Sequence, residues 1–513
     1  MRRNKALVSA FLMASLAVTE SCSSSTVLAF AVSNIPAGTN TLRVTAKIDG
    51  KNYNVEPVSL VGSSSTATLF SITIPWKYSN SLIDVSIIAT GKQCDLASWN
   101  GTTAAIEPVT YSIAAPLERL RDDQMAQDFF TIKAIKANDV WTAGAGGAFG
   151  HWDGCYWKNV DIKPEGIDNI FTKLYYHDKI GLWATGSDGL IYKYDDNLKT
   201  WTAKKGARDL FPTPTGASSF EWIRSTIWAD ISYLNGTAGD FILIGTNYHS
   251  AAVSSKNQCL AVRATLDASK PEGYSFSKIA SVCSTPIVAA PQVGSPTAPS
   301  GGWPTCSSGC FVPARVMSMP DGVIISGDVR LPSPATAPNN QYGAYLKYDN
   351  TSFSSPSLAR YVVQSITNPN QETSGTAMNV WGSSTKEFWL ANNRLFHVSD
   401  AEIQKAPEEN LSSFYEDKGS SGYRINSIWG ANSNDFWITV LSGNRLSRVH
   451  HITTAAAGTQ TILAKDVDQK RFSAPIGSLP YIVLDGTSDK DVWFAGYSGV
   501  RAYYNGKDFT IYK

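Results

Sequence analysis

The stretch Asp485-Gly486-Thr487-Ser488-Asp489-Lys490-Asp491-Val492-Trp493-Phe494-Ala495-Gly496 decides how the chain is read. It holds the end of one strand, a short polar turn, and an acidic residue, an apolar residue and a Trp that open a second strand. The same sentence recurs upstream. Ile135-Lys136-Ala137-Asn138-Asp139-Val140-Trp141-Thr142-Ala143-Gly144 repeats it, and Leu182-Trp183-Ala184-Thr185-Gly186 keeps its core. Val380-Trp381-Gly382-Ser383-Ser384-Thr385-Lys386-Glu387-Phe388-Trp389-Leu390 and Ile428-Trp429-Gly430-Ala431-Asn432-Ser433-Asn434-Asp435-Phe436-Trp437 repeat it again.

After each copy a Gly-containing turn leads to a third strand. That strand ends in a tight hairpin signal: Trp152-Asp153-Gly154, Tyr194-Asp195-Asp196, Tyr348-Asp349-Asn350 or Tyr504-Asn505-Gly506. A weaker fourth strand follows, as in Tyr156-Trp157-Lys158-Asn159-Val160. Four antiparallel strands per repeat make the blade of a β-propeller. Two fainter copies, Ile227-Trp228-Ala229 to Gly245 and Val316 to Gly327, fill the middle. The expectation is an all-β chain with a propeller over 129–513, of seven blades, or six or eight if the faint copies divide differently. The copies resemble the Trp-containing repeats of bacterial surface and secreted propellers, with a W-G…D-V-W core, over about three quarters of the chain. That resemblance implies a fold and leaves function open, since propellers host enzymes and binding scaffolds alike. The fixed strand position of the repeat Trp residues predicts core packing rather than a sugar platform.

Ahead of the repeats, residues 30–115 alternate apolar and polar side chains, as in Thr41-Leu42-Arg43-Val44-Thr45-Ala46-Lys47-Ile48 and Ile83-Asp84-Val85-Ser86-Ile87. Period two means strands with one buried face, and several of them predict an immunoglobulin-like sandwich. Residues 116–128 are expected as linker.

The N-terminus gives an address. Met1-Arg2-Arg3-Asn4-Lys5 precedes an apolar run from Ala6 to Val18, of signal-peptide length and too short to span a bilayer. Ser21-Cys22 followed by Ser23-Ser24-Ser25-Thr26 resembles a bacterial lipoprotein signal, which implies a signal peptide over 1–21, lipidation of Cys22 and a tether over 22–29. The chain is then expected in the cell envelope as an outer-membrane lipoprotein. The alternative is cleavage after Ala29-Phe30-Ala31 and a secreted protein. The 513 residues carry 44 Lys+Arg against 43 Asp+Glu, a net charge of +1, which argues against nucleic acid as a partner. A hydrophobic fraction of 43% excludes a disordered chain.

Once Cys22 is set aside, Cys94, Cys155, Cys259, Cys283, Cys306 and Cys310 remain, an even number that favours disulfides in an exported protein. Fifteen pairings are possible. The reading adopted is a local Cys306–Cys310 clip, Cys259–Cys283 across a hairpin of one blade, and Cys94–Cys155. The alternative is zinc at Cys306-x-x-x-Cys310, but no His lies between 249 and 397 to complete it.

In a propeller the turns between strands two and three, and the blade-to-blade connections, share one face. Here that set holds the long segments 202–221, 284–312, 329–341, 364–376, 402–422 and 466–480. Loops on a rigid scaffold are where recognition is built. The candidate ligand-binding residues on or near this face are Trp222, Arg224, His249, Trp303, Arg315, Tyr342 and Arg424. Arg224, Arg315 and Arg424 fall near the starts of first strands, where a ring of them would suit an anion. Of the six His, His151, His397 and His450 sit near one point of the third strand in three blades, which reads as architecture. No catalytic residue, cofactor or metal is assigned, because no zinc, nucleophile-elbow or phosphate-loop signature is present. Asp196-Asn197-Leu198-Lys199-Thr200-Trp201 resembles part of a sialidase Asp-box, with Leu198 in place of its Gly. The leading expectation is a non-enzymatic binding protein for a protein or glycan partner, attached to the membrane by its lipid. The alternatives are a sialidase-like or other glycan hydrolase or lyase on the same face, and a purely structural envelope component.

Overall fold

The structure is a computed structural model. It describes residues 25–35, 39–60, 67–75, 81–91, 94–104, 110–119, 127–160, 170–213, 215–248, 259–279, 282, 310–330, 341–348, 359–363, 379–391, 395–398, 403–405, 424–432, 434–441, 447–454, 462–466, 481–507 and 509–512. The chain divides into two units, Met1–Asp122 and Asp123–Lys513.

In the first unit two sheets share one core. Ser25–Ser33 lies between an antiparallel partner, Ala67–Pro75, and a parallel one, Thr110–Pro116. The second sheet is built around Thr41–Ile48, Leu82–Thr90 and Asp95–Ala104. The period-two reading holds in detail: Leu42, Val44, Ala46 and Ile48 point inward against Ile83, Val85 and Ile87 and meet Leu28, Phe30 and Val32 of the other sheet. Two boundaries move. The first strand starts at Ser25, inside the stretch expected as tether, because Thr26 and Leu28 pair with Ile74 and Ile72 and Leu28 is fully buried. The expected linker contains a short strand, Glu118–Arg119, which pairs with Ser98 and Ala97.

In the second unit the described residues form seven four-stranded antiparallel sheets, numbered here in chain order, each from one continuous segment. Their first strands are Phe129–Lys136, Phe171–His177, Thr226–Tyr233, Cys310–Met319, Asn379–Ser384, Arg424–Asn432 and Tyr481–Ser488. Each first strand lies beside that of the next sheet, and the last lies beside the first. The second unit is a β-propeller.

The repeated sequence has a repeated physical meaning. Trp141, Trp183, Trp389, Trp437 and Trp493 are all buried between sheets. In the first and last sheets the acidic residue two before the Trp accepts its indole N–H, at 2.9 Å for Trp141 on Asp139 and 3.1 Å for Trp493 on Asp491. In the first, fifth, sixth and seventh sheets the third-strand residue opposite the Trp lies against its ring and donates to the acid two before that Trp. His151 lies 4.0 Å from the Trp141 ring and 2.9 Å from Asp139. His451 lies 4.3 Å from the Trp437 ring and 2.5 Å from Asp435. His397 lies 4.6 Å from Trp389 with Glu387 at 3.3 Å, and Tyr503 takes the place over Trp493. The repeated position is therefore His451, not His450: His450 pairs with Ile438 and is buried on the opposite face of its strand.

The second strand carries a Gly opposite the first-strand bulge in four sheets, for a steric reason. Gly144, Gly186, Gly245 and Gly327 sit where the first strand makes a bulge. A Cβ there would fall 1.8 Å from the carbonyl oxygen of Asp128, 2.6 Å from that of Ile170, 2.2 Å from that of Ile227 and 2.1 Å from that of Val312, respectively. Short turns between third and fourth strands are tied by an Asx residue: Asp153 accepts from the amides of Cys155 and Tyr156, and Asp195 from those of Asn197 and Leu198. The second pair forms the turn of the Asp-box-like segment.

Candidate functional site: the propeller channel

The bulges align the first strands. The residue after the bulge is Thr131, Lys173, Asp230, Arg315, Ser427 or Val483 in six sheets, and Asn379 holds the same register in the fifth. Two residues further on lie Lys133, Tyr175, Ser232, Met317, Trp381, Trp429 and Asp485. All fourteen line one cavity of about 280 Å³ on the axis, reached by all seven first strands. That volume is at the lower edge of small-ligand sites and suits one chemical group.

A first strand has no strand neighbour on its axial edge, so its amides need other acceptors. The ring solves this by one geometry. A side chain of one sheet accepts from the amide one step further along in the next sheet. Thr131 Oγ1 accepts from Leu174 at 2.8 Å and Tyr175 Oη from Tyr233 at 2.9 Å. Asp230 Oδ2 accepts from Val316 at 3.1 Å and Ser232 Oγ from Ser318 at 2.9 Å. Ser427 Oγ accepts from Leu484 at 3.3 Å, and Asp485 Oδ2 closes the ring on Ala134 at 2.8 Å. Burial pushes the Tyr175 hydroxyl above its ordinary range.

Lys173 is a donor and breaks the pattern at its position. There Asp230 Oδ1 accepts from its own neighbour Ile231 at 2.9 Å, with Lys173 Nζ at 3.6 Å. Asp485 Oδ2 also receives Lys133 Nζ at 2.8 Å. Both channel carboxylates are thus engaged by backbone amides and a lysine. Arg315 is held differently. Its Nε donates to Asn379 Oδ1 at 3.1 Å and its Nη1 to the Ala314 carbonyl at 2.9 Å. Asn379 is itself fixed, its Nδ2 donating to the Ile425 carbonyl at 2.9 Å.

Of the candidate ligand-binding residues whose side chains are described, Arg315 alone is found among those lining the cavity. Arg224 ends the short helix α2 (Ser219–Arg224, after α1, Gly206–Asp209), where it is exposed and lies over the Phe220 ring. The expected arginine ring therefore does not form around Arg224, because this helix intervenes before the first strand. Trp222 is 2% exposed and donates its indole N–H to the Phe211 carbonyl, so its ring is part of the packing beneath α2. Arg424 opens a first strand opposite Leu441, and Tyr342 pairs with Val329. His249 and Trp303 lie outside the described residues, as do Cys22, Cys283 and Cys306. Cys94, Cys155 and Cys259 are each disulfide-bonded. Cys259 opens a third strand as expected, but the fourth strand of its sheet ends at Lys278, before Cys283. Cys310 opens a first strand, and Ile403–Lys405 forms a strand within the segment expected as loop.

Sequence reasoning missed Lys133, Lys173, Asp230, Asn379 and Asp485. Their signal was position: each holds the register that follows the first-strand bulge or lies opposite the repeat Trp. Only the pairing register makes that position visible.

No family model and no curated protein sequence matches the chain. Among solved structures it is similar to YCF48 bound to D1 peptide, with 11% identity and a TM-score of 0.41, covering 74% of this chain and 95% of that one. It is similar to YCF48 from Cyanidioschyzon merolae, with 11% identity and a TM-score of 0.41 over 75% and 98%. The β-propeller domain of Cps50 (Swd1) from Myceliophteria thermophila gives 9% identity and a TM-score of 0.41 over 77% and 99%. The propeller assignment rests on the strand pairing of this chain.

Proposed function

We propose that the chain is a non-enzymatic binding protein whose seven-bladed propeller presents one face and the adjoining channel to a protein partner. The observation that carries this reading is the asymmetry of the connections. The turns between first and second strands are as short as 137–138 and 489–490. The connections from one sheet to the next run from 160–170 up to 279–309. Antiparallel order brings all of the latter to the end where the first strands begin. A rigid ring with its variable length at one end is the layout of a recognition surface.

Hydrolysis of a glycan would need an acid and a base free to exchange protons. Asp230 and Asp485 are committed to amides and lysines, which favours binding over turnover. The first unit, read as an immunoglobulin-like sandwich, serves as spacer. Lipidation at Cys22 and attachment to the outer membrane complete the proposal, supported by the basic, apolar and Ser-Cys order of residues 1–22.

Cross-linking of the intact envelope, followed by pull-down of this chain, tests the reading. A protein partner cross-linked through the long-connection segments is expected. Recovery of glycan-derived product from a glycan array, with no protein partner, would reverse it.

A further inference from the structure

Among the described residues the channel carries an unbalanced charge. Lys133, Lys173 and Arg315 face it with Asp230 and Asp485. Asp485 takes Lys133, and Asp230 sits nearest Lys173. Among the described residues no carboxylate pairs with Arg315; its contacts are the Asn379 amide oxygen and the Ala314 carbonyl. Neutral acceptors orient a guanidinium without cancelling its charge. They also occupy two of its five N–H groups, leaving three in a planar fork. Asn379 is 7% exposed and anchored to Ile425, so the orientation is built in.

We propose that Arg315 is the seat of one carboxylate group, an acidic side chain or a chain terminus, inserted into the channel by the protein partner. This rests on the binding reading above and assigns its chemistry. A carboxylate matches the guanidinium fork by two parallel hydrogen bonds. A single negative charge equals the surplus among the described lining residues. A phosphate dianion exceeds it and meets the Asp230 carboxylate, which accepts from the residue next to Arg315. The volume of about 280 Å³ admits one side chain or chain end and excludes a folded domain.

The test is a titration of the full chain followed by the Arg315 Nε–Hε signal in transverse-relaxation-optimised NMR, the signal being assigned by its loss in Arg315→Gln. The probes are N-acetylglycine for a chain terminus, N-acetylaspartic acid α-amide for an acidic side chain, N-acetylglycinamide as the neutral control, inorganic phosphate and glucuronate. Saturable shifts with either peptide-type carboxylate, and none with the neutral amide, are expected; which carboxylate binds more tightly identifies the source. Binding followed by calorimetry should weaken about tenfold or more in Arg315→Gln, the value of a charged hydrogen bond. If that variant does not fold, Arg315→Lys keeps the charge without the fork and should lose part of the affinity. Equal response to the neutral amide, tighter binding of phosphate or glucuronate, or unchanged affinity in a folded variant would overturn the proposal. Capture of the same cross-linked partner by wild type and Arg315→Gln with equal yield would leave the binding face standing and remove the carboxylate seat alone.

Discussion

Asp485 reaches across the ring closure to the amide of Ala134, 2.8 Å away and 351 residues earlier in the chain. Among the described residues no strand is exchanged between the first and last sheets, so this contact closes the ring where a shared strand is absent. It is joined by Asp128 accepting from the Ser498 amide at 2.8 Å, by Trp152 and Trp157 against Trp493, and by Arg501, which is fully buried over the Trp157 ring.

Replacing Asp485 by Ala should therefore loosen this seam first. It removes one partner of a largely buried ion pair and orphans an amide, at a cost of about 3 kcal/mol. Ser427→Ala removes an amide bond of the same geometry together with the hydroxyl's own bond to the Leu484 carbonyl, both neutral and long, at about 1–2 kcal/mol. Urea denaturation reads the totals. Hydrogen exchange should rise in 129–136 and 481–488 for Asp485→Ala before it rises in the other first strands.

The glycines opposite the first-strand bulges are close-approach positions. Gly327→Ala would place a methyl 2.1 Å from the Val312 carbonyl oxygen and force the bulge apart. A loss of about 2–3 kcal/mol or more is expected from such overpacking. An unchanged urea midpoint would show that the bulge shifts freely.

The Trp cassettes divide unequally between packing and polarity. Trp437→Ala should cost about 3–5 kcal/mol, because it empties a site between two sheets. His451→Phe keeps the stack on Trp437 and gives up the bond to Asp435, which is partly solvated; about 1 kcal/mol is expected. Thermal unfolding of the two variants should rank them in that order.

Tyr503 supplies an alkaline signature. Burial, then the charge of Asp491 and the hydrogen bond to it, push the phenol up to about 12. The unfolded chain ionises near 10, so the contribution is whole below that pH. It falls as pH rises from about 10 to about 12, where only the unfolded state has lost its proton. Tyr503→Phe should flatten that part of the stability profile, measured by urea titration at each pH.

Cys94, Cys155 and Cys259 should resist iodoacetamide until reductant is added. Peptide mapping without reduction then tests the pairing read from sequence, Cys94–Cys155, Cys259–Cys283 and Cys306–Cys310.

The sheets were legible where the acid-x-Trp signature is intact. The third and fourth were faint because their second strands carry Ile242 and Ile324 opposite Ser232 and Met317, where other sheets have Trp. Local pattern also located the His layer, yet missed it by one residue in the sixth sheet, since neighbours in a strand face opposite ways. The channel was nearly silent. Asp230 reads as an ordinary strand residue until Val316 and Lys173 are brought to it from other sheets. Arg315 was visible as a basic residue near a strand start, but its distinction, a charge held by Asn379, belongs to the assembled ring.

Because each sheet is one unbroken stretch of chain and the ring is closed by side chains, chain order and ring order are separable. In the second unit taken alone, joining residue 512 to residue 127 through a flexible linker and opening the chain within 406–423 should yield a circular permutant with the same sheets. In such a protein the seam at Asp485 and Ala134 becomes an interior junction like the other six.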